Sequence, residues 1–372
     1  MRSSRRCVFT NLFRGSDDMS SLDDLKLIWR VDRGDMLSRV TALPDQCREG
    51  WKQGLQWDVP KSWKSSGNLL ILGMGGSAIG GDLLQGFVGN LALRPIAVNR
   101  SYAIPTWVGR STLVLACSYS GNTEETLSAA RQALQRGCRL VAITSGGQLA
   151  EWASRDRFPL LRIPSGWPPR TAIGYLAFAP LGLVVRLGWA KKSAFPVERA
   201  CDWVETFIES QLSLSVQVPA NPAKRFSLHL KDRLPVLYGA SGGWEGVTYR
   251  WRTQLEENAK TLAFHHIFPE ATHNEISGWV EPRVLTKKVT ALFLKDRSIH
   301  PRTRRRMEFT KQLIRREGAQ ALDVTVPGPS VLARMLGFIA LGDFVSVYLG
   351  LLYGVDPTPV ERVEALKRYM KR

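Results

Sequence analysis

Cysteine is scarce in this chain of 372 residues: Cys7, Cys47, Cys117, Cys138 and Cys201 are odd in number, widely spaced and never arranged as C-x-x-C. A disulfide framework and a zinc knuckle are therefore not expected, and the usage is that of a reducing cytoplasm. Long uncharged apolar runs are also missing. The two longest, 176–190 and 335–353, are interrupted by Pro180 and Arg186 and by Asp343, so neither reads as a bilayer span. The leader 1–14 is rich in arginine and serine but has no apolar signal core, which leaves an organellar presequence or a start at Met19 as its readings. Acidic residues are in deficit, 33 against 51 basic, for a net charge of +18. Such an excess argues for nucleic acid only when gathered on one element. Here it is spread out, apart from Arg302, Arg304, Arg305, Arg306, Arg315 and Arg316, which read as the solvated side of a helix. Attraction of small anions is a sufficient use for it, and neither a membrane nor nucleic acid is expected as a partner.

What is present is a folded-protein composition, 44% hydrophobic and 23% charged, long enough for two cores. Two glycine turns carry the chemistry. Gly73-Met74-Gly75-Gly76-Ser77 follows the apolar run 69–72, and Ser118-Tyr119-Ser120-Gly121-Asn122-Thr123 follows 113–117. Each is a strand ending in small hydroxyl residues before a helical pattern, where free amides, hydroxyls and the helix dipole favour an anion. Neither turn contains the lysine of a nucleotide-hydrolysing P-loop, so the bound phosphate is a stationary handle on a small metabolite rather than a group being transferred. A dinucleotide is the rival ligand. Gly73 and Gly75 fit that fingerprint, but its third glycine position holds Ala78, and the second strand is followed by Asn99 and Arg100 instead of an acidic residue.

Apolar runs at 68–72, 95–98, 112–117, 139–144 and 160–163 alternate with helical patterns, and the same alternation resumes at 234–240, 262–268, 289–294 and 322–326. Helices are expected at 22–31 and 36–51, interrupted by Gly34 and Pro44, with a long apolar helix at 335–353 and an amphipathic one closing the chain. The pattern predicts an α/β protein with parallel sheets covered on both faces. Leu70-Ile71-Leu72-Gly73-Met74-Gly75-Gly76-Ser77 and Val236-Leu237-Tyr238-Gly239-Ala240-Ser241-Gly242-Gly243 repeat one strand-to-turn unit. The second copy continues into Trp244 and Glu245, which reads as a fold retained after the phosphate role was lost. A linker is expected near 216–223, giving a basic extension at 1–31, a first unit at 32–215 and a second at 216–372.

These turns, together with Pro169-Arg170, Glu256-Glu257-Asn258-Ala259-Lys260, His273-Asn274-Glu275-Ile276 and Gly354-Val355-Asp356-Pro357, resemble the bifunctional phosphoglucose/phosphomannose isomerases, which are built from two sugar isomerase (SIS) domains. The likeness runs in order from about residue 35 almost to the C-terminus. It implies two three-layer αβα sandwiches with extra N- and C-terminal helices, a cytoplasmic homodimer with shared active sites, and a metal- and cofactor-free aldose–ketose isomerisation. It makes Gly76, Ser77, Ser118, Ser120 and Thr123 the phosphate ligands, Glu257 the base that moves a proton between C1 and C2, Arg170 the oxyanion stabiliser, and His273, supplied across the dimer, the group that opens the sugar ring. Lys367 would assist ring opening. The family's specificity threonine lies seven residues before that lysine; here that position is Val360, with Thr358 two residues earlier, so glucose 6-phosphate is the firmer substrate and mannose 6-phosphate the other. His265, His266, His273 and Glu275 invite a metal reading, but adjacent residues of a strand point to opposite faces. A non-catalytic sugar-phosphate sensor and a nicotinamide-dependent oxidoreductase are the alternative functions.

Overall fold

The computed structural model describes residues 21–370; most of the basic extension, with Cys7, the presequence reading and the start at Met19, lies outside the described residues. Helices α1 (Leu25–Val31), α2 (Met36–Thr41) and α3 (Leu43–Gln56) lead into a five-stranded sheet. Its strands are β1 (Asn68–Leu72), β2 (Ile96–Asn99), β3 (Thr112–Cys117), β4 (Arg139–Thr144) and β5 (Leu160–Arg162), in the spatial order β2-β1-β3-β4-β5. The intervening helices are α4 (Gly75–Val88), α5 (Glu124–Gln135) and α6 (Gly147–Asp156), followed by α7 (Ile173–Arg186) and α8 (Val197–Phe207). Every pairing is parallel, and β3 is buried along its whole length, as strands covered on both faces must be.

The second sheet follows α9 (Pro222–Leu230). It contains β6 (Leu234–Ala240), β7 (Phe264–Phe268), β8 (Val289–Leu294) and β9 (Gln320–Val324), ordered β7-β6-β8-β9 and again all parallel. Helices α10 (Glu245–Asn258), α11 (Arg283–Thr286) and α12 (Pro301–Arg316) connect its strands, and α13 (Val331–Leu352) and α14 (Glu361–Met370) close the chain. The expected duplication is thus visible as topology. In each sheet the first strand has the second on one side and the third on the other, creating a switch point at its carboxyl end, where ligands bind in such sheets.

The departures from the sequence reading have local causes. The first helix begins at Leu25 because the Asp24 carboxylate caps the amides of Lys26 and Leu27. The second breaks at Ala42 instead of Pro44, since Pro44 occupies the first turn of α3, where its missing N–H has no partner to lose. Strand β9 ends at Val324 because its neighbour β8 ends opposite, at Leu294. The stretch between the two sheets is anchored: the Asn221 amide donates to the Leu212 and Ser213 carbonyls, and the enclosed Lys224 ammonium lies 2.9 Å from Asp23. Helix α13, long and apolar enough to cross a bilayer by length and composition, is instead surrounded by protein from Leu332 onward. On α12 the arginines at 302, 304, 305, 306, 315 and 316 are exposed while Met307 and Ile314 are buried.

Helices α3 and α7 approach so closely that a methyl on Gly54 would lie 2.2 Å from the Ala179 carbonyl oxygen, and one on Gly182 would lie 2.7 Å from Gly54. This contact matters because α7 starts three residues after Arg170. Gly54→Ala gains about 1 kcal/mol of helix propensity but overpacks rigid backbone at ~1–3 kcal/mol. The 2.2 Å approach makes the second term win. Urea denaturation of Gly54→Ala is expected to show a net loss of up to about 2 kcal/mol.

Candidate active site

The two hydroxyl turns lie side by side at the switch point of the first sheet, because β1 and β3 are direct neighbours. After β1 the chain turns through Gly75 at φ 51° and enters α4. Among the described residues, the amides of Gly75 and Gly76 find no protein acceptor, as the first turn of a helix dictates. After β3 the Ser118 hydroxyl donates to Thr123 Oγ1 at 2.9 Å and accepts from the Thr123 amide at 3.4 Å. Ser118 is wholly buried and fixes the turn from within, while Ser120 is exposed at its tip. Ser77 is buried on the first turn of α4.

The corresponding turn of the second sheet has a different occupant. Gly242 and Gly243 donate their amides to the two carboxylate oxygens of Glu245, at 3.0 and 2.8 Å. An internal carboxylate fills the place that an anion would take in the first turn. Of the two glycine turns, only the first keeps its amides free, at Gly75 and Gly76, which agrees with the sequence reading of a lost second cradle.

Helix α4 packs against α10 with Gly86 beside Gly243 and Gly246 beside Asp82. The two helices run antiparallel, so the amide-rich start of α4 faces the end of α10 that carries Glu257. The 3-10 turn Pro169–Thr171 closes the gap: a methyl on Gly76 would lie 3.3 Å from the Pro169 carbonyl oxygen and 3.4 Å from the Arg170 Cα. A side chain at this position would press on the turn that carries Arg170.

Arg170 is 3% exposed, and its guanidinium is tightly engaged. Nε donates to Asn258 Oδ1 at 2.6 Å, Nη2 to the carbonyls of Pro357 and Thr358 at 2.7 and 2.9 Å, and Nη1 to Glu257 Oε2 at 3.3 Å. Burial draws the guanidinium pKa down and Glu257 opposes that, but an arginine has enough reserve to remain a cation. Behind it, Arg250 donates to the Arg170 carbonyl at 3.1 Å and to the buried Asp343 at 2.7 Å, Gln254 donates to Asp343, and Asn258 donates to Ser346. Arg250, Gln254 and Asn258 recur every four residues, so one stripe of α10 faces α13 while Glu257 is turned toward Arg170. Beside Glu257, burial pushes the Glu256 carboxyl above its usual range, with Arg252 opposing and Glu257 adding to the shift.

The structure brings Arg170 and Glu257 together with Gly76 and the turn that follows β1. It does not bring His273 or Lys367 to them within one chain. His273 is exposed at the end of the turn Glu270–His273, and Lys367 stands on α14, all of whose residues are exposed. The Thr358 hydroxyl is buried against Gly34 without a hydrogen-bond partner, so its carbonyl, not its side chain, meets Arg170; Val360 is half-buried. His265 stacks on Tyr249 with ring centroids 5.2 Å apart, and burial, reinforced by Arg252, lowers its pKa to about 4. His266 pairs with Glu275, which also receives the Tyr238 hydroxyl. The two histidines do point apart, and among the described residues no three metal-ligating side chains gather. Arg100, the residue a 2′-phosphate would need, is bound to Asp82 and lies 5.5 Å over the Tyr249 ring. Sequence reasoning gave no role to Asn258 or Lys260, although both sit in the segment that singled out Glu257.

Proteins of similar sequence and fold are known. The model of the bacterial phospho-glucose isomerase C-terminal SIS domain matches residues 219–370. A bifunctional phosphoglucose/phosphomannose isomerase of Caldicellulosiruptor bescii is 40% identical over 332 residues, which is 89% of this chain and 98% of the relative. One from Aquifex aeolicus is 33% identical over 326 residues, 87% of this chain and 97% of that one. Among solved structures, a hypothetical protein of Thermus thermophilus has the same fold, with a TM-score of 0.72 at 18% identity, covering 95% of this chain and 94% of the other.

Asn258→Leu removes the acceptor of Arg170 Nε and leaves a buried cation short of one bond. Hydrogen bonds to charged groups contribute about 1.5–3 kcal/mol. A fall of that size in the unfolding free energy is expected by urea titration, and an unchanged midpoint would show that Asn258 does not hold the guanidinium.

Proposed function

This chain belongs to the bifunctional phosphoglucose/phosphomannose isomerase family, and on that premise we propose that it interconverts glucose 6-phosphate, and with it mannose 6-phosphate, with fructose 6-phosphate. The observation that carries this reading is the Arg170–Glu257 pair, held at 3.3 Å beside the free amides of Gly75 and Gly76. Gly76, Ser77, Ser120 and Thr123 hold the phosphate, with Ser118 setting the turn. The sugar then reaches toward the end of α10.

Glu257 takes the proton from C2 of the open-chain aldose, giving a cis-enediolate; the hydroxyl proton of O2 passes to O1, and Glu257 returns its proton to C1, giving the ketose. No electrons leave the substrate, so no redox cofactor is called for. Charge that develops on the C1 or C2 oxygen meets Nη1 of Arg170, the one nitrogen not committed to Asn258 or to backbone carbonyls. A fixed cation in a water-poor site is worth most where the charge develops. His273 of the partner subunit opens the ring, with Lys367 assisting, in a cytoplasmic homodimer. The exposed position of His273, away from Glu257 of its own chain, supports this use across two subunits. Val360, and Thr358 through its carbonyl, border the specificity region near C2.

A coupled assay of chelator-treated protein, reading fructose 6-phosphate from glucose 6-phosphate and from mannose 6-phosphate separately, tests the proposal. Both activities are expected to survive chelation and to fall by about 10²–10⁴ in Glu257→Gln. Ser120→Ala is expected to raise KM by about 10-fold or more with a smaller change in kcat, since the phosphate is a handle. Protein that binds hexose phosphates without turning them over would establish the sensor reading instead.

A further inference from the structure

Lys260 follows α10 with φ 56°, in the left-handed region where a glycine is the usual residue after a helix. A lysine at such a position needs a compensating interaction, and the structure contains one. Although the residue as a whole is exposed, its ammonium is surrounded by three carbonyl oxygens: Glu257 at 2.5 Å, Pro359 at 2.7 Å and Pro357 at 3.0 Å. The first belongs to the residue that carries the base, and the other two to the segment between α13 and α14. Arg170 fastens the same segment through Pro357 and Thr358. Two cations thus tie one strap, and both connect to Glu257, Arg170 by its carboxylate and Lys260 by its backbone.

We propose that Lys260 is a positioning residue: it locks the strap 357–359 to the last turn of α10 and thereby fixes the Glu257 carboxylate against Arg170 and the substrate. The inference rests on the isomerase reading for what Glu257 does. Lys260 touches no reacting atom in this scheme. It keeps the helix end from fraying, and a displacement of the base by about 1 Å is enough to lower turnover on the order of 10²-fold.

The charge state of the tether has a consequence. Burial, followed by the neighbouring Arg170, lowers the Lys260 pKa to about 8, against the opposing pull of Asp356, Glu257 and Glu361, the charged groups that face it from the strap, α10 and α14. Below pH 8 the ammonium has three hydrogens for three carbonyls. Above it the neutral amine has two hydrogens and turns a lone pair toward the third oxygen, so the lock weakens as pH rises through that value. The folding linkage has the opposite sign. The folded pKa lies below that of an ordinary lysine, so the unfolded chain binds more protons between pH 8 and about 10.5, and this group adds to global stability as pH rises there. Deprotonation of Lys260 itself therefore does not drive unfolding on the alkaline side.

Lys260→Gly removes the tether while relieving the backbone, which separates the two roles, and Lys260→Arg keeps a cation across the pH range. For Lys260→Gly, kcat on glucose 6-phosphate is expected to fall about 10-fold or more with KM within about 3-fold, because the phosphate turns are untouched. Amide exchange in residues 356–370 is expected to accelerate. In Lys260→Arg the alkaline fall in kcat near pH 8 is expected to move up by at least about one unit. A Lys260→Gly protein with wild-type kcat, or with unchanged exchange, overturns the proposal, as does an alkaline limb that stays in place in Lys260→Arg. Wild-type protein is measured beside each variant: its failure to turn over any hexose 6-phosphate would sink the isomerase reading, while the exchange comparison would still decide whether Lys260 ties the strap.

Discussion

A guanidinium taken out of water must be given acceptors in the right plane, and burying Arg170 is the constraint around which the rest of this molecule is arranged. Its acceptors come from two distant parts of the chain: Asn258 and Glu257 on α10, and the carbonyls of Pro357 and Thr358 beyond α13. Removing one acceptor strands a buried charge, which is far more destabilising than the pair is stabilising. These segments and the turn that carries Arg170 are therefore obliged to meet. Their meeting sets the Glu257 carboxylate against Arg170 and lays the segment 357–358 beside both.

The same requirement explains the polar seam inside an otherwise apolar contact. Helix α10 presents Arg250, Gln254 and Asn258 to α13, where Asp343 and Ser346 receive them. Burial raises the Asp343 carboxyl, yet Arg250 and Gln254 answer both of its oxygens. A purely apolar seam would hold two helices together at any of several rotations, whereas the directed bonds of Arg250, Gln254 and Asn258 to Asp343 and Ser346 select one. That rotation aims Glu257 at Arg170, so the seam acts on function through geometry.

Much of this was legible in the sequence, for identifiable reasons. Short apolar runs bounded by glycine turns located the strands of both sheets and implied their parallel pairing, because fully covered strands leave little else for such runs to do. That the second turn differs from the first was legible in Trp244 and Glu245, but not that the Glu245 carboxylate would take up its amides. Other features were not. No local pattern says that Asn258 will meet Arg170 across 88 positions, or that a lysine will sit in a left-handed turn, since both depend on where a remote strap returns. The specificity register was also beyond reach, because the Thr358 side chain packs on Gly34 and lends its carbonyl instead.

Duplication of the α/β unit supplies two switch points, and the chain uses them differently. In the first sheet the turn amides at Gly75 and Gly76 meet no protein acceptor among the described residues; in the second, Glu245 supplies a carboxylate from within. An unanswered cluster of amides would attract an external anion; the Glu245 carboxylate answers it from within and anchors the start of α10, the helix whose last turn carries Glu257. The second unit thus places a carboxylate where the first leaves amides free, and that carboxylate fixes the start of the helix whose last turn meets Arg170.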